Sequence, residues 1–316
     1  MPETIAITGV SGYLGQALAD VLQADERVEK IIGVDLRPPK NSPAKLEFHH
    51  LDITNRKLPE VIATSGATRI AHLAFLLNPT HDREAARKID VDGTRNVLAA
   101  VRAARMRSLI LASSSVVFGA FPDNPVPLTE SHPVRPDPNV QYMLDKVTVE
   151  QLALAFACEE RNCSVSILRP VTIVGPGMNN FISNFLSRPL LTIPRRKEAL
   201  WQAVQERDCA RAFAAALFAE KPGVFHVAAD DWYPFAEMVA STKKPWVRLP
   251  LSVLTTFTDL GWATRIKALS EVPGALVRYL CYLPVLSNEK LKRELNFTFE
   301  YDSRAAMETY FQGLRK

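Results

Sequence analysis

The sequence predicts an α/β chain: a doubly wound parallel sheet with a smaller, discontinuous C-terminal domain laid over it. Three observations carry that expectation. Strand-like and helix-like patterns alternate through the first 170 residues. A β-branched run, 4–8, passes straight into three glycines spaced by three, Gly9, Gly12 and Gly15. After Gly175-Pro176-Gly177 the alternation breaks into short helical pieces.

The elements follow in order. Residues 4–8 form the first strand, and Leu14, Leu18, Val21 and Leu22 recur at helical spacing behind the glycines. Ile31-Ile32-Gly33-Val34-Asp35 is a second strand ending in an acid. Residues 46–50 and 69–74 read as the third and fourth strands, with a helix over 56–65 between them. A long helix is expected over 82–105, a fifth strand over 108–113, a helix over 139–161 and a sixth strand over 164–169. Pro122, Pro125, Pro127, Pro133, Pro136 and Pro138 fill the loop after the fifth strand. Proline fixes φ, so this loop should lie ordered along the sheet's edge. Residues 224–228 supply one more strand. The stretch 249–263 reads as a lid, as a face touching lipid, or more plainly as packing within the small domain. The expected boundaries are 1–175 for the sheet domain, with 205–228 returning to it, and 176–204 and 229–316 for the smaller one.

Bulk properties narrow the class. The 316 residues are 47% hydrophobic and 23% charged, an ordinary globular balance. The net charge of +4 is small and its cations are interspersed with acids, which argues against a nucleic-acid partner. Cys158, Cys163, Cys209 and Cys281 lack metal or redox spacing and suit a reducing cytoplasm. The first strand begins at once, leaving no room for a signal peptide, and no apolar run reaches the length of a membrane span. The histidines show no paired ligand spacing, so no metal is expected, and His72 reads as a packed core residue.

The glycine turn is the most informative stretch. A strand, a tight glycine turn and a helix start present backbone N–H groups to a pyrophosphate, and the helix dipole favours its charge. Gly9 allows the sharp turn, Gly12 lets phosphates approach, and Gly15 lets helix and strand pack closely. Asp35 lies 20 residues after Gly15, where a carboxylate can hydrogen-bond an adenosine ribose diol. A 2′-phosphate would be repelled there, which favours NAD. Arg37 offsets part of that repulsion and keeps NADP as the alternative.

Tyr142 and Lys146 stand four apart on the expected helix and share a face. A neighbouring ammonium favours phenolate, and such a phenol can exchange the proton of a secondary alcohol. Ser113, Ser114 and Ser115 close the fifth strand, where a hydroxyl can polarise the reacting oxygen or simply make turn hydrogen bonds.

Over nearly its full length the chain resembles the extended short-chain dehydrogenase/reductase family, the NAD-dependent epimerases and dehydratases. The matching residues are Thr8-Gly9-x-x-Gly12-x-x-Gly15, Asp35, Leu51-Asp52-Ile53, His72-Leu73-Ala74 and Asn96 in 91–97. Ser113-Ser114 ahead of Val117-Phe118-Gly119, then Tyr142 with Lys146, then Leu168-Arg169-Pro170 before Val174-Gly175-Pro176-Gly177, continue the series. The segments ending Asp208-Cys209-Ala210 and Lys292-Arg293-Glu294-Leu295 also look like the family. The resemblance implies a Rossmann-type NAD domain, a small-molecule substrate held by the second domain, and a homodimer built through the helices of 82–105 and 139–161. It implies Ser114, Tyr142 and Lys146 as the catalytic set. It implies cofactor contacts from Gly9, Ser11, Gly12, Tyr13, Leu14 and Gly15, from Asp35, Leu36 and Arg37, from Asp52 and Ile53 flanking the adenine, and from Leu73, Ala74 and Phe75. Tyr142, Lys146 and Pro170 complete that set, with Asn96 in the supporting helix.

Departures from the family pattern bear on the substrate. Ser115 and Val116 stand where family dehydratases carry an Asp-Glu pair, so neither elimination nor decarboxylation is expected. Trp201 stands near the position of an arginine that clamps a substrate pyrophosphate, leaving Arg195, Arg196 or Arg207 as substitutes. The leading expectation is a sugar or nucleotide-sugar 4-epimerase. The alternative is a dehydrogenase or reductase of an apolar hydroxy or keto substrate, hydroxysteroid-dehydrogenase-like. A catalytically silent NAD-binding protein is the third reading.

Overall fold

The structure, a computed structural model, describes residues 2–195, 199–266 and 270–314. Seven parallel strands form its centre: β1 (Glu3–Thr8), β2 (Val28–Asp35), β3 (Leu46–His50), β4 (Arg69–His72), β5 (Ser108–Ala112), β6 (Ser164–Pro170) and β7 (Gly223–Val227). They lie in the order β7-β6-β5-β4-β1-β2-β3. The winding reverses between β1 and β4, so a crevice opens beyond their carboxyl ends, where ligands bind in such sheets. This is the doubly wound α/β fold that the alternation predicts.

Both faces of the sheet are covered, which is why the strands read as nearly continuous apolar runs. Along β1, Ile5 and Ile7 point to one face and Ala6 to the other, as strand geometry requires. Helices α1 (Tyr13–Gln23) and α5 (Glu206–Ala219) cover the first face, burying Leu18, Leu22, Phe213 and Leu217 against Ile5, Ile7 and Phe225. Helices α2 (Leu58–Thr64), α3 (Gly93–Ala103) and α4 (Gln141–Glu159) cover the second, with Ile62, Val97, Val101, Val149 and Ala153 on Ala6 and Ile32.

One element differs from its expectation in a way that matters for the site. The helix expected over 82–105 is a short helix, Arg83–Arg87, then a π-helical turn, Lys88–Asp92, then α3. The extra residue in a π turn leaves the apolar spacing on either side intact, so periodicity cannot see it. The fourth strand also stops at His72, and 73–76 continue as irregular chain along the sheet's carboxyl end.

Beyond β6 the chain builds three small strand pairs. Thr172–Val174 runs parallel to Ala203–Gln205, Leu191–Pro194 runs parallel to Trp246–Leu249, and Leu200–Trp201 runs antiparallel to Tyr233–Pro234. Strands of two to four residues are too short to show a two-residue period, and none of these six was expected. Trp201, Phe235, Met238, Met307 and Tyr310 form their core. The stretch 249–263, read as a lid, a lipid face or small-domain packing, holds a helix, Leu251–Ala263.

Candidate active site

At the carboxyl end of β1, Gly9 adopts φ +76°, a conformation that only glycine enters freely. A Cβ there would lie 2.6 Å from the Ala74 nitrogen, and one on Gly15 would lie 2.1 Å from the Gly9 carbonyl oxygen. The Gly9 N–H donates to the Val34 carbonyl at 2.8 Å and the Gly12 N–H to the Gly9 carbonyl at 3.1 Å, closing the turn. Gly12 caps α1 with no side-chain hydrogen bond and no acid in the first turn, so the helix start keeps its positive end for an anion. The Tyr13 ring packs toward Gly177 and the small-strand core, and Leu14 packs into the sheet core. Their side chains thus turn away from the turn, leaving backbone N–H groups there.

Asp35 ends β2 beside this turn. One carboxylate oxygen accepts from the Ser11 N–H at 3.0 Å, and the other accepts from Leu36 at 2.7 Å and Arg37 at 3.3 Å. The Ser11 hydroxyl donates to the Arg37 carbonyl, which binds the two segments together. A carboxylate offers about four lone-pair directions, and with three taken one remains, on the oxygen that accepts only Ser11, for a hydroxyl of a diol. Next along the sheet edge, Asp52 folds its own loop by accepting the Thr54 N–H and hydroxyl, both at 2.7 Å. Asn96 donates to the carbonyls of Ile53 (2.6 Å) and Asn55 (2.7 Å), and a Cβ on Gly93 would strike Ile53 at 2.5 Å. An uncapped glycine turn, a fixed acid and a pinned apolar loop in this order fit a dinucleotide such as NAD. Gly9, Ser11, Gly12, Asp35 and Ile53 are the residues that would hold it.

Ser114, Tyr142 and Lys146 converge at the end of β5. Lys146 is buried; its Nζ donates to the Ala112 carbonyl at 2.6 Å and lies 3.5 Å from the centre of the Phe75 ring. Phe75 meets Tyr142 edge to face at 5.5 Å, and Ser114 stands near enough to the phenol to oppose its rise. Burial pulls Lys146 down to about 8, against the opposing charges of Asp90 and Glu150. Burial pushes the Tyr142 phenol well up and the Asp90 charge adds to it, while the Ser114 hydroxyl opposes. The lowered phenol expected from a neighbouring lysine is therefore reversed here. The lysine spends its hydrogen bond on Ala112, 5.8 Å from the tyrosine ring, and desolvation dominates. Pro170 is buried at the end of β6, paired in register with Val227.

Two residues that the sequence reading passed over, Asp90 and Glu150, complete this end of the site. Asp90, on the π turn and 1% exposed, accepts the Leu76 N–H at 2.9 Å and so ties down the segment carrying Phe75. Burial pushes Asp90 up to about 7 against the pull of Lys146. Glu150, four residues beyond Lys146, is buried against Arg169 at 2.8 and 2.6 Å and accepts the Ser113 hydroxyl. The spacing Tyr142, Lys146, Glu150 marks one helix stripe and was a usable signal. For Asp90 there was none. His72 is buried between Thr8 (2.7 Å) and Thr94 (3.0 Å), and burial holds it neutral, with a pKa of about 3.

A cavity of about 940 Å³ is lined by the 78–84 segment together with Phe181, Asn184, Trp262, Arg265 and Glu271. His81 stacks on Trp262 at 3.8 Å, joining the sheet domain's loop to the helix Leu251–Ala263. Among the described residues its wall carries Arg83 and Arg265 against Asp82, Glu84 and Glu271. Trp201 is 2% exposed and packs on Phe235, so it belongs to the core and clamps nothing. Arg195 and Arg207 are exposed and absent from the cavity wall, and Arg196 lies outside the described residues. Ser115 is buried, and Val116 packs with Tyr142 and Tyr279.

Comparison with known proteins places this site in context. An uncharacterised protein of Mycobacterium tuberculosis is 26% identical over 319 aligned residues, covering 99% of this chain and 84% of its own length. The UDP-glucose 4-epimerase of Dictyostelium discoideum is 28% identical over 195 residues, 55% of this chain and 53% of that one. A human sterol-4-alpha-carboxylate 3-dehydrogenase (decarboxylating) is 28% identical over 172 residues, 54% of this chain and 44% of that one. The solved structure of MoeE5 in complex with UDP-glucuronic acid and NAD shares the fold, with TM-score 0.77, 21% identity and 99% of both chains covered. The sequence model of the NAD dependent epimerase/dehydratase family matches residues 5–228, from the first strand through β7. With that match spanning most of the sheet, the chain belongs to the NAD dependent epimerase/dehydratase family.

Proposed function

We propose that this chain is an NAD-dependent oxidoreductase acting at a secondary alcohol carbon, with Tyr142 moving the proton, Ser114 polarising the oxygen and Lys146 holding the site's charge. The observation that carries the reading is the convergence of Ser114 and Tyr142 beside a buried Lys146 at the end of β5, on the edge of the cofactor crevice. NAD, when bound, supplies the hydride acceptor, or in its reduced form the donor. The rest falls to side chains. Burial keeps Tyr142 as the phenol, the form that gives a proton to a ketone oxygen as negative charge develops there. In the opposite direction the phenolate is required, so alcohol oxidation should quicken as pH rises.

The clamp position bears on the substrate. Trp201, near where an arginine would hold a nucleotide pyrophosphate, is buried in the small-strand core, and Arg195 and Arg207 stand exposed. This favours a dehydrogenase or reductase of an apolar hydroxy or keto compound over the 4-epimerase first expected. The similarity to a UDP-glucose 4-epimerase is what keeps a nucleotide-sugar 4-epimerase as the second reading. Ser115 and Val116 beside Ser114 carry no carboxylate, so dehydration is not proposed.

The deciding experiment measures bound cofactor in the purified protein and NADH formation with panels of apolar secondary alcohols and of nucleotide sugars. Alcohol-dependent NADH formation with freely exchanging cofactor supports the dehydrogenase; tightly retained NAD with sugar inversion and no net NADH supports the epimerase. Replacing Tyr142 by Phe should lower turnover about 10²–10⁴-fold while NADH binding stays. Unchanged turnover ends the mechanism.

A further inference from the structure

We propose that the segment 243–266 is a docking face for an anionic lipid surface, a property independent of the reaction proposed above. Six of the 13 exposed large apolar side chains come from this segment and the strand beside it: Leu190, Trp246, Val247, Phe257, Leu260 and Ile266. Two are the extreme cases on the helix Leu251–Ala263, with Phe257 66% and Leu260 54% exposed. The helix has a genuine inside, since Leu254 and Gly261 are buried. Phe257 and Leu260, three apart, belong to another stripe, and with Val253 they form an outward apolar row.

Charge is sparse where a water-facing helix would carry it, and the polar groups are the small hydroxyls of Ser252, Thr255, Thr256 and Thr258. Its 13 residues include one ionisable side chain, Asp259, whose carboxylate accepts the Gly274 N–H at 2.7 Å and so is committed to the neighbouring turn. The preceding strand, Trp246–Leu249, pairs on one side with Leu191–Pro194 and leaves Trp246 and Val247 outward. Pro250 then leads straight into the helix, so strand and helix are consecutive parts of one surface segment.

Charge complementarity selects the occupant. Residues 243–266 hold Lys243, Lys244, Arg248 and Arg265 against Asp259 alone, four cations and one anion, although the whole chain is nearly balanced. Lys243 and Arg265 are exposed at the two ends of the segment, and the Arg248 guanidinium lies 5.5 Å from the centre of the Trp246 ring. Aromatic and aliphatic groups flanked by cations suit the boundary between acyl chains and acidic headgroups. No helix among the described residues is long and apolar enough to cross a membrane, so the contact is one of lying on the surface. Trp262 and Arg265, at the end of this helix, also line the 940 Å³ cavity, so docking would bring its rim near the lipid.

The test is co-sedimentation of the full chain with phosphatidylcholine vesicles containing 0 to 40 mol% phosphatidylglycerol, roughly the range over which such attraction develops. Binding should increase at least about tenfold with the anionic lipid and fall with added salt. The double substitution Phe257→Glu with Leu260→Glu should abolish it, and Lys243→Glu with Arg248→Glu should remove its dependence on phosphatidylglycerol. All four positions lie on the surface segment, and circular dichroism checks that each variant is folded. Failure of the native chain to sediment overturns the proposal, as does equal sedimentation of the Phe257→Glu, Leu260→Glu chain. So does a vesicle-free dimer that this variant dissociates, which would show that a second copy covers the face. None of these outcomes depends on NAD or turnover.

Discussion

Lys146 and Phe75 meet with the ammonium 3.5 Å from the ring centre, although 71 residues separate them. The contact joins helix α4 to the irregular segment after β4. It offers a desolvated cation a partner that takes no proton, and Phe75 in turn touches Tyr142. The segment bearing Phe75 is fixed from the other side by Asp90, whose carboxylate holds the Leu76 N–H. The proposed catalytic side chains and the backbone on the proposed cofactor side are therefore located by one chain of contacts rather than by separate loops.

Gly9 has no room for a side chain. Gly9→Ala meets the Ala74 backbone nitrogen at 2.6 Å in a left-handed conformation, so no rotamer relieves it. The variant should lose more than about 1 kcal/mol of stability. NADH affinity should fall as well, read by fluorescence titration beside a thermal melt. Native affinity in the variant would remove the phosphate-cradle reading.

On the proposed reading, Asp35 sets the choice of cofactor. Asp35→Ala removes the charge that repels a 2′-phosphate and leaves Arg37 nearby. The ratio of NADP to NAD affinity should rise about tenfold or more, equivalent to ~1.4 kcal/mol. Paired titrations with NADH and NADPH measure it, and an unmoved ratio contradicts the assignment.

Glu150 and Arg169 form a buried ion pair beneath the serine-bearing strand end. Glu150→Ala strands the Arg169 charge in the core and should cost about 3–5 kcal/mol in urea unfolding. Replacing both partners by apolar residues of similar size should recover much of that loss. A single variant as stable as the native chain would mean that the pair is not desolvated in solution.

His72 gives the fold an acid-sensitive component. Its folded pKa of about 3 lies below the ordinary 6.5, so under acid the unfolded chain takes up a proton that the folded one refuses. Its contribution is complete above pH 6.5 and is lost as pH falls toward 3, amounting to about 2 kcal/mol by pH 5. His226, also held near 3 by burial, acts in the same direction. The His72→Gln chain should show a stability drop between pH 7 and 5 that is smaller by about that amount. Equal drops in urea midpoints for the two proteins would refute this.

The sheet was legible because its strands are buried on both faces and write continuous apolar runs. Gly9, Gly12, Gly15 and Asp35 were legible because their spacing is dictated by a backbone turn. What escaped was set by burial rather than by spacing. The raised Tyr142 phenol depends on desolvation, which no four-residue interval reveals. Asp90 is one acid among several in a helical stretch, and only the π turn makes it inward. Trp201 was rightly seen as no clamp, yet its core partner Phe235 lies 34 residues away, opening a short helix just after a strand pair too short to leave a pattern.

Asp90 and Asn96 sit on one stretch of helix, the first holding the catalytic-side segment at Leu76 and the second holding the adenine-side loop at Ile53 and Asn55. Six residues of helical rise separate them, roughly 9 Å. The stretch therefore works as a gauge block: it fixes how far apart the two ends of the crevice can stand. Neither end can be re-tailored by loop changes alone, because lengthening one loop leaves the block, and hence the span offered to a dinucleotide, the same.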